Sequence, residues 1–594
     1  MTEQPARPAQ PVLAATAIPS NRIALLCALC ALVAAVLLGH SVLSSQSQLS
    51  AAPAPKGWTQ CIPAITRLPL AESTWIAPDS DAPAALSAMA RSLRTDLNGP
   101  RVFRRAALSV PRWRAFSRWN PAYFVAAAEA GAGPAEFLVK RSATASVMFA
   151  NLRAERPFVS GDDDDESEAR GQVQRDGVAW PQQPRFTMPF SSQNISVRAF
   201  FSEIDSTRAR AAAGPKDSKY TYFADGVSVL GELGYDLLPL EPLCPFRDVA
   251  GRCDMSVWIG QAGVTAWPHY DSSHNLFVQI KGRKRFQLAA PVAARCGMGL
   301  YPALHPFYRQ AQRDILDPEW SAAVFVPTPD ASSASASAST GCGCNVTVFE
   351  VDLEPGDVLY MPPHFFHRVT SLPSPSDNSP SFSINSWWSS SSFRRMAKVL
   401  AQPLPFEADW SDRQRAFAAR EYIRALYAEI EAHLRKVAPA TTPASSSPFL
   451  ARELLATRFY PLFSSMHNPP LDAQWCANMQ RSLSLESASG APGAGLTACA
   501  GLTSQELQAM LPESARASAA ASQLERNVAD LEGLLRSHLR ASVRSKPMRL
   551  YSRVDPEMAR LHVQNVVEEV SWYAVGAHRD LLYPFLACCV DEPQ

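Results

Sequence analysis

The chain has 594 residues, more than one ordinary domain needs, so two or three structural units are expected. Its 56 basic and 55 acidic residues leave a formal net charge of +1, which argues against a nucleic-acid-binding surface. Among the 12 cysteines no CxxC pair repeats at zinc spacing, which argues against a zinc finger, although their even number would permit disulfides.

The N-terminal region carries the clearest targeting signal. A tail of residues 1–22 precedes an uncharged apolar run over 23–43, which is long enough to cross a bilayer as one helix. Arg7 and Arg22 precede the run and favour a cytoplasmic N-terminus. We therefore expect a single-pass signal anchor, with the rest of the chain in the ER or Golgi lumen or outside the cell. The alternative is a cleaved signal peptide and a secreted protein, since the purely apolar part ends at Leu38.

Two N-glycosylation sequons begin at Asn194 and Asn345. About two sequons are expected by chance in a chain of this length and composition. The two sequons are consistent with a lumenal location but are not evidence for it.

Beyond the anchor the chain divides by composition. Residues 44–85 are rich in Pro, Ser and Ala and predict a stem. Residues 86–395 begin with mixed helix and strand patterns and continue, from about residue 255, as short strands rich in β-branched and aromatic residues. Residues 396–594 contain three long amphipathic patterns that predict a helical C-terminal region. Two low-complexity insertions interrupt the strand-rich part, at 327–341 and 373–381.

The strand-rich part contains an H-x-D pair, His269 and Asp271, in the segment AWPHYDSSHN. On a strand the two side chains would point to one face, where they could bind one metal ion together with a histidine from a distant strand. On this spacing alone, a surface histidine beside an aspartate is the more common explanation.

The surrounding motifs carry a family resemblance. The segment GQAGVTAWPHYDSSHNLFVQIKGRKRFQLAAP resembles the JmjC oxygenases, and among them the asparaginyl hydroxylases. The family pattern of H-x-D followed by N, Q, G, K, L and P at fixed spacing appears as His269, Asp271, Asn275, Gln279, Gly282, Lys284, Leu288 and Pro291. Downstream, LEPGDVLYMPPHFFHRVTSL matches the second signature, whose distal histidine is His367. SFSINSWW matches the closing strand and places Asn385 as a pocket asparagine.

The resemblance implies an α+β fold with a double-stranded β-helix (jelly-roll or cupin) core, an α/β N-terminal flank and a helical C-terminal region. It implies an Fe(II)- and 2-oxoglutarate-dependent dioxygenase that uses O2 and releases succinate and CO2. Iron would be held by His269, Asp271 and His367, and the substrate would be a protein side chain.

The resemblance also assigns Lys284 to the distal carboxylate of 2-oxoglutarate. A lysine on the strand after H-x-D can point into the barrel, although a surface lysine within KGRKR is the alternative. The family places Thr or Ser three residues before the first iron ligand, where this chain has Ala266. Either a bulge brings Thr265 into that place or another hydroxyl serves, and Tyr222 is the candidate.

The remaining polar residues leave alternatives open. Asn275 and Asn385 would line the co-substrate pocket, with hydrogen bonding in the core as the alternative. His364 is expected at the pocket rim. Trp387 and Trp388 are expected to be core aromatics.

Two rival functions remain at this stage. One is a catalytically inactive binding protein of the secretory pathway on the same fold, and the other is a cupin metalloenzyme that does not use 2-oxoglutarate. We expect a protein substrate and no nucleic acid as partner. The C-terminal helices could mediate a homodimer, or could pack within one chain.

Overall fold

The structure is a computed structural model. It describes residues 58–61, 64–72, 99–109, 113–147, 190–213, 220–238, 254–303, 305, 307–317, 324–327, 344–373, 380–388, 409–437, 454, 457–458, 502–511, 528–545, 556–575 and 585–590. In these segments we find no helix that is both long and apolar enough to cross a membrane. The predicted anchor, 23–43, lies outside the described residues.

Two large sheets form the body of the fold. One has eight strands in the order β3-β14-β10-β16-β8-β7-β4-β6, and the other has six in the order β2-β13-β11-β15-β9-β5. Strands β1 and β12 form a separate pair. The strands are β1 Trp58–Cys61, β2 Ala64–Pro69, β3 Arg101–Phe103, β4 Glu136–Ser142, β5 Ser146–Val147, β6 Ser191–Ser196, β7 Tyr220–Gly226, β8 Asp254–Gly260, β9 Thr265–Tyr270, β10 His274–Lys281, β11 Arg283–Ala289, β12 Val324–Pro327, β13 Asn345–Leu353, β14 Val358–Met361, β15 Phe366–Leu372 and β16 Ser381–Trp388.

The central strands are antiparallel and divide between the two sheets. Strands β8, β10, β14 and β16 belong to the first sheet, while β9, β11, β13 and β15 belong to the second. Their inward apolar side chains meet in one cluster, in which Phe277 of β10 packs against Phe286 of β11 at 4.8 Å between ring centroids. Sheets that pack face to face in this way bury the alternate residues of each strand. The predicted α+β fold with a cupin-type core is thus confirmed.

A single residue separates β10 from β11. Gly282 has a φ of +67°, and a Cβ there would lie 3.1 Å from the Cα of Ser381. Glycine adopts this left-handed conformation without steric cost, so the chain can reverse within one residue and cross to the facing sheet. The reversal places Lys284 near the start of the second strand.

The helices lie before, between and after the strands. The N-terminal part of the core is covered by aromatic residues that include Trp119 and Phe124, packed edge to face at 5.4 Å. The predicted helical patterns of the C-terminal region are confirmed as three long helices. The helices are α1 Ala115–Arg118, α2 Pro121–Glu129, α3 Val197–Ala213, α4 Asp412–Val437, α5 Ser504–Met510, α6 Val528–Ser545 and α7 Pro556–Val575.

The C-terminal helices are joined to the barrel through buried polar groups. Arg458, 1% exposed, forms an ion pair with Glu568 of α7 at 2.7 Å. The Glu568 carboxylate also accepts from the backbone N–H of Ala303, and the Leu300 N–H donates to the Thr457 carbonyl at 2.7 Å. The helical region therefore braces the segment after β11, which borders the cavity described next.

Candidate metal centre

Three side chains from two neighbouring strands converge at one end of the barrel. His269 lies on β9, Asp271 follows the end of the same strand, and His367 lies on β15 directly opposite His269. One ligand atom from each side chain lies within 4.8 Å of the others. The predicted juxtaposition of these residues is present in the structure.

Both histidine rings are oriented by backbone carbonyl groups. Nδ1 of His269 lies 2.7 Å from the Trp267 oxygen, and Nδ1 of His367 lies 3.1 Å from the Phe365 oxygen. A carbonyl oxygen can only accept, so each Nδ1 carries the proton and each Nε2 keeps its lone pair. This arrangement is the one that metal-binding histidines adopt, because the second hydrogen bond fixes the tautomer and the ring.

The Asp271 carboxylate is held by two donors. Oδ2 accepts from Trp387 Nε1 at 2.9 Å and from Asn275 Nδ2 at 3.2 Å. Asn275 in turn accepts from Asn385 at 3.0 Å, and Asn385 accepts from Trp258 at 2.8 Å. A chain of hydrogen bonds therefore runs from the inner face of the eight-stranded sheet to the carboxylate. Asn275 and Asn385 both border the cavity and both belong to this chain.

The charges at the centre suit cation binding. Burial lowers the pKa of His269 to about 3, and the neighbouring His367 adds to the effect. Burial opposes ionisation of Asp271, yet the two histidines and Arg309 lower the pKa of that carboxyl overall. Near neutral pH the centre thus offers a neutral imidazole at His269 and a negative carboxylate.

The strand that carries His269 has an irregularity that decides which residue faces the cavity. His367 pairs with His269 but Val369 pairs with Ala266, so two residues of β9, Trp267 and Pro268, stand opposite one of β15. Proline lacks the N–H that a regular ladder needs and is found at such bulges.

The bulge puts Ala266 on the cavity wall and turns Thr265 away. The Thr265 hydroxyl lies 3.0 Å from the Thr370 hydroxyl and 3.2 Å from the Gly263 carbonyl oxygen. The structure therefore places Thr265 outside the cavity lining, which does not support its assignment to co-substrate binding. The bulge that could have brought Thr265 into the site instead keeps Ala266 there.

Lys284 lies in the same cavity and is 2% exposed. Its Nζ is 5.1 Å from the centre of the Phe277 ring and 5.8 Å from that of Tyr222, and no carboxylate of the described residues forms an ion pair with it. Burial lowers the pKa of the ammonium group to about 7. A buried cation without a counter-ion is unfavourable, so the site is suited to an anionic ligand.

Tyr222 is the other predicted co-substrate residue, and it lines the cavity beside Lys284. It stands opposite Gly260 in the β7–β8 pair, and a Cβ on Gly260 would lie 2.6 Å from the tyrosine ring. The glycine therefore leaves the space that the ring occupies. Burial raises the pKa of Tyr222, so its hydroxyl keeps its proton and can donate a hydrogen bond.

Part of the cavity wall comes from the segment after β11, which the motifs did not predict. Tyr308, Arg309 and Gln310 border the cavity, and the guanidinium of Arg309 lies 4.6 Å from the Tyr308 ring centre. Arg309 has a φ of +70°, and its carbonyl accepts from the Tyr270 N–H at 3.1 Å. This segment has no strand periodicity, so the sequence carried no signal for it.

The predictions for Trp387 and His364 need correction. Trp387 lines the cavity and binds Asp271, whereas Trp388 is a core residue stacked on His274 at 5.1 Å. Period-two alternation along β16 from Asn385 could have found Trp387. His364 is 2% exposed and stacks at 5.2 Å on Tyr270, which lines the cavity, but His364 itself is not among the lining residues.

The reason for the burial of His364 lies in the C-terminal region. Asn565 of α7 hydrogen-bonds to Tyr270, and His562 of the same helix interacts electrostatically with His364. The helix covers the turn before β15 from behind. The barrel motifs contain no information about this helix, so they could not predict the burial of His364.

Two imidazoles and one carboxylate on one side of a cavity inside facing antiparallel sheets define a cupin-type protein with a two-histidine, one-carboxylate centre. This donor set fits iron(II), because imidazole nitrogen and carboxylate oxygen are ligands that it accepts while positions stay open.

Comparison with known proteins agrees with this class. The cupin-like domain family matches residues 95–394, about half of the chain, and the chain belongs to this family. The resemblance to the JmjC proteins is confirmed as well. Jumonji C domain-containing protein 5 of Drosophila melanogaster is 35% identical over 145 residues, which cover 24% of this chain and 29% of that protein.

Other relatives are named for different activities. The lysine-specific demethylase JMJ31 of Arabidopsis thaliana is 26% identical over 151 residues, covering 25% of this chain and 24% of the relative. The tRNA wybutosine-synthesizing protein 5 of Danio rerio is 28% identical over 114 residues, covering 19% and 28%. The matched stretch thus spans less than a third of each of these three relatives.

Proposed function

We propose that the protein is an Fe(II)- and 2-oxoglutarate-dependent dioxygenase. The observation that carries the proposal is that one cavity contains a His269–Asp271–His367 centre and, facing the same space, the buried cation of Lys284, which has no carboxylate partner among the described residues. A metal centre alone would fit many cupins. The lysine adds the positive charge that a dicarboxylate co-substrate requires.

In this proposal the residues have separate tasks. His269, Asp271 and His367 hold the metal, and the hydrogen bonds to their outer atoms keep them aligned. Lys284 and Tyr222 bind the distal carboxylate of 2-oxoglutarate. Bound iron(II) supplies the redox centre at which O2 and 2-oxoglutarate react, and the products are succinate, CO2 and an oxidised substrate.

The finer proposal is hydroxylation of a protein side chain. The cavity has a volume of about 280 Å³ and is lined largely by aromatic residues, together with Arg309 and Gln310. Ligand pockets usually measure roughly 300–1,000 Å³, so the co-substrate leaves space here for little more than one side chain. That size favours a substrate whose main body stays outside.

One observation supports the alternative of an inactive binding protein. Ala266 borders the cavity where the family has a hydroxyl residue, so the co-substrate has one hydrogen bond fewer. Loss of one such bond costs about 1 kcal/mol, which weakens affinity without abolishing it. The complete ligand set and Lys284 therefore favour an active enzyme.

For the location we propose the secretory pathway, with residues 23–43 as a single-pass anchor. Disulfides support this, because they persist mainly in oxidising compartments. Cys296 and Cys344 are joined by a disulfide, and Cys588 and Cys589 are disulfide-bonded too. A homodimer through the C-terminal helices and the absence of a nucleic-acid partner stay predictions.

The function is tested by succinate formation from 2-oxoglutarate by the full chain, with and without Fe(II). Slow turnover without a second substrate is expected, and Lys284→Ala abolishes it. Lys284→Arg is the matched variant, because it keeps the charge in a larger group and retains measurable binding of 2-oxoglutarate. Equal succinate formation by wild type and Lys284→Ala would contradict the proposed role of the lysine.

A further inference from the structure

Strand β6 is the last strand of the eight-stranded sheet within the part of the chain that the structure describes. It pairs with β4 on one side, and among the described strands none pairs with the other side. Four consecutive residues of the strand, 191–194, are exposed to solvent. Such an edge presents free N–H and C=O groups that can pair with another chain, and proteins usually cover or charge it.

The same edge carries an exposed apolar side chain. Leu138 of β4 is 53% exposed, one of the largest exposures among the apolar residues of the structure. Its partner across the ladder is Asn194 of β6. Residues directly opposite in an antiparallel pair point to the same face, so Leu138 and Asn194 are side-by-side neighbours on the surface.

Asn194 is the first residue of an Asn-Ile-Ser sequon, and the structure leaves it accessible. Its side-chain amide makes no hydrogen bond to any described residue. Ser196, the third residue, is also exposed, and its hydroxyl accepts from the Ala199 N–H at the start of α3. Both side chains are therefore accessible in the folded protein, so a glycan can be attached to Asn194 without a rearrangement of the strand.

We propose that Asn194 carries an N-linked glycan that covers the free edge of β6 and the neighbouring Leu138. The proposal rests on the lumenal location proposed above. A bulky hydrophilic glycan on this face blocks the approach of a second strand and shields the apolar surface.

The second sequon lacks this arrangement and provides the matched control. Asn345 is exposed too, but it begins β13, which is paired on both sides by β2 and β11. A glycan there would cover no open edge. Asn345→Gln removes that sequon and leaves Asn194 unchanged.

The first experiment expresses the full chain in eukaryotic cells and reads location and modification separately. Protease protection in sealed microsomes reports the location, and a mass shift after peptide N-glycosidase treatment reports the glycan. The expected result is a protected chain with a glycosidase-sensitive mass step that Asn194→Gln removes and that persists in Asn345→Gln. A protected chain without that step overturns the glycan and leaves the location standing. A protease-accessible chain overturns both, while succinate formation is measured independently.

The second experiment tests the shielding. The Asn194→Gln protein is expected to self-associate, with a higher weight-average mass by light scattering than the wild type. Adding Leu138→Lys to this variant is expected to restore the wild-type mass, because a charged residue also blocks edge pairing. An Asn194→Gln protein with the mass of the wild type would overturn the shielding.

Discussion

His269 and His367 are direct neighbours across the β9–β15 ladder, and their ring centres lie 4.1 Å apart. The distance between the two imidazoles is therefore set by the spacing of hydrogen-bonded strands rather than by a loop. Sites built on strands hold their geometry more accurately than sites on loops. Asp271, just beyond the strand end, is the ligand that needs additional support, and Asn275 and Trp387 provide it.

Asn385→Ala should lower the affinity for Fe(II) by about 10- to 100-fold, the usual effect of losing an outer hydrogen bond to a metal ligand. The physical reason is that Asn385 holds Asn275, which holds the Asp271 carboxylate. Anaerobic titration with Fe(II) measures the effect. Ser383→Ala on the same strand is the control, since the buried Ser383 hydroxyl has no hydrogen-bond partner among the described residues. Similar affinities for both variants would contradict the role of the asparagine chain.

Lys284→Met should abolish 2-oxoglutarate binding and raise the free energy of unfolding. The pKa of Lys284 is lowered from 10.5 to about 7, so the wild type carries a desolvation cost of up to about 5 kcal/mol at neutral pH. Because the folded-state pKa lies below the unfolded one, the unfolded chain binds more protons between about pH 7 and about pH 10.5, and wild-type stability rises across that window. Denaturant unfolding at several pH values measures both effects. A Lys284→Met variant with a lower free energy of unfolding than the wild type would contradict the predicted gain in stability.

The same shift predicts a pH dependence of co-substrate binding. Above about pH 7 the free Lys284 loses its proton, so binding a carboxylate requires that the proton be regained. The KM for 2-oxoglutarate should therefore rise between about pH 7 and about pH 9. Lys284→Arg should show a flatter profile over this range, because a guanidinium stays charged. Parallel profiles for both proteins would point to another titrating group.

Because of the bulge at Pro268, substitutions at two adjacent residues, Thr265 and Ala266, should affect the KM for 2-oxoglutarate differently. Ala266→Thr adds a hydroxyl to the cavity wall and should lower the KM for 2-oxoglutarate by roughly five- to tenfold, as one added hydrogen bond of about 1 kcal/mol allows. Thr265→Ala should leave that KM unchanged, since its hydroxyl binds Thr370 outside the cavity. If Thr265→Ala raised the KM and Ala266→Thr did not lower it, the register of β9 would be wrong.

How much of this site the sequence could predict depends on the kind of signal each residue carries. His269, Lys284 and His367 lie on strands and Asp271 lies just past the end of β9, all at fixed motif spacing, so the motifs were enough to predict that they come together. That Ala266 rather than Thr265 faces the cavity depends on one extra residue in β9. A one-residue change of register moves each side chain of a strand to the opposite face. The burial of His364 depends on α7, almost two hundred residues away in the chain, and no local pattern reports such a contact.

The disulfide between Cys296 and Cys344 should contribute to stability through the chain it closes. The two cysteines are 48 residues apart in sequence, and a loop of this size predicts about 4 kcal/mol from the restricted unfolded state. The Cys296→Ala/Cys344→Ala variant should unfold at lower denaturant concentration by this amount. The reduced wild type should be destabilised by at least this amount, because reduction also breaks the disulfide bonding of Cys588 and Cys589. If neither protein were destabilised, the bond would not be formed in solution.

The most direct test of the central claim compares wild type, Asp271→Ala and Asp254→Ala for Fe(II) stoichiometry and Fe(II)-dependent succinate formation. Asp254 is the matched control, because it interacts electrostatically with Asp271 but is not among the three ligands. We predict one bound iron and succinate formation for wild type and Asp254→Ala, and loss of both for Asp271→Ala. Iron binding and succinate formation that survive in Asp271→Ala would contradict the proposed centre.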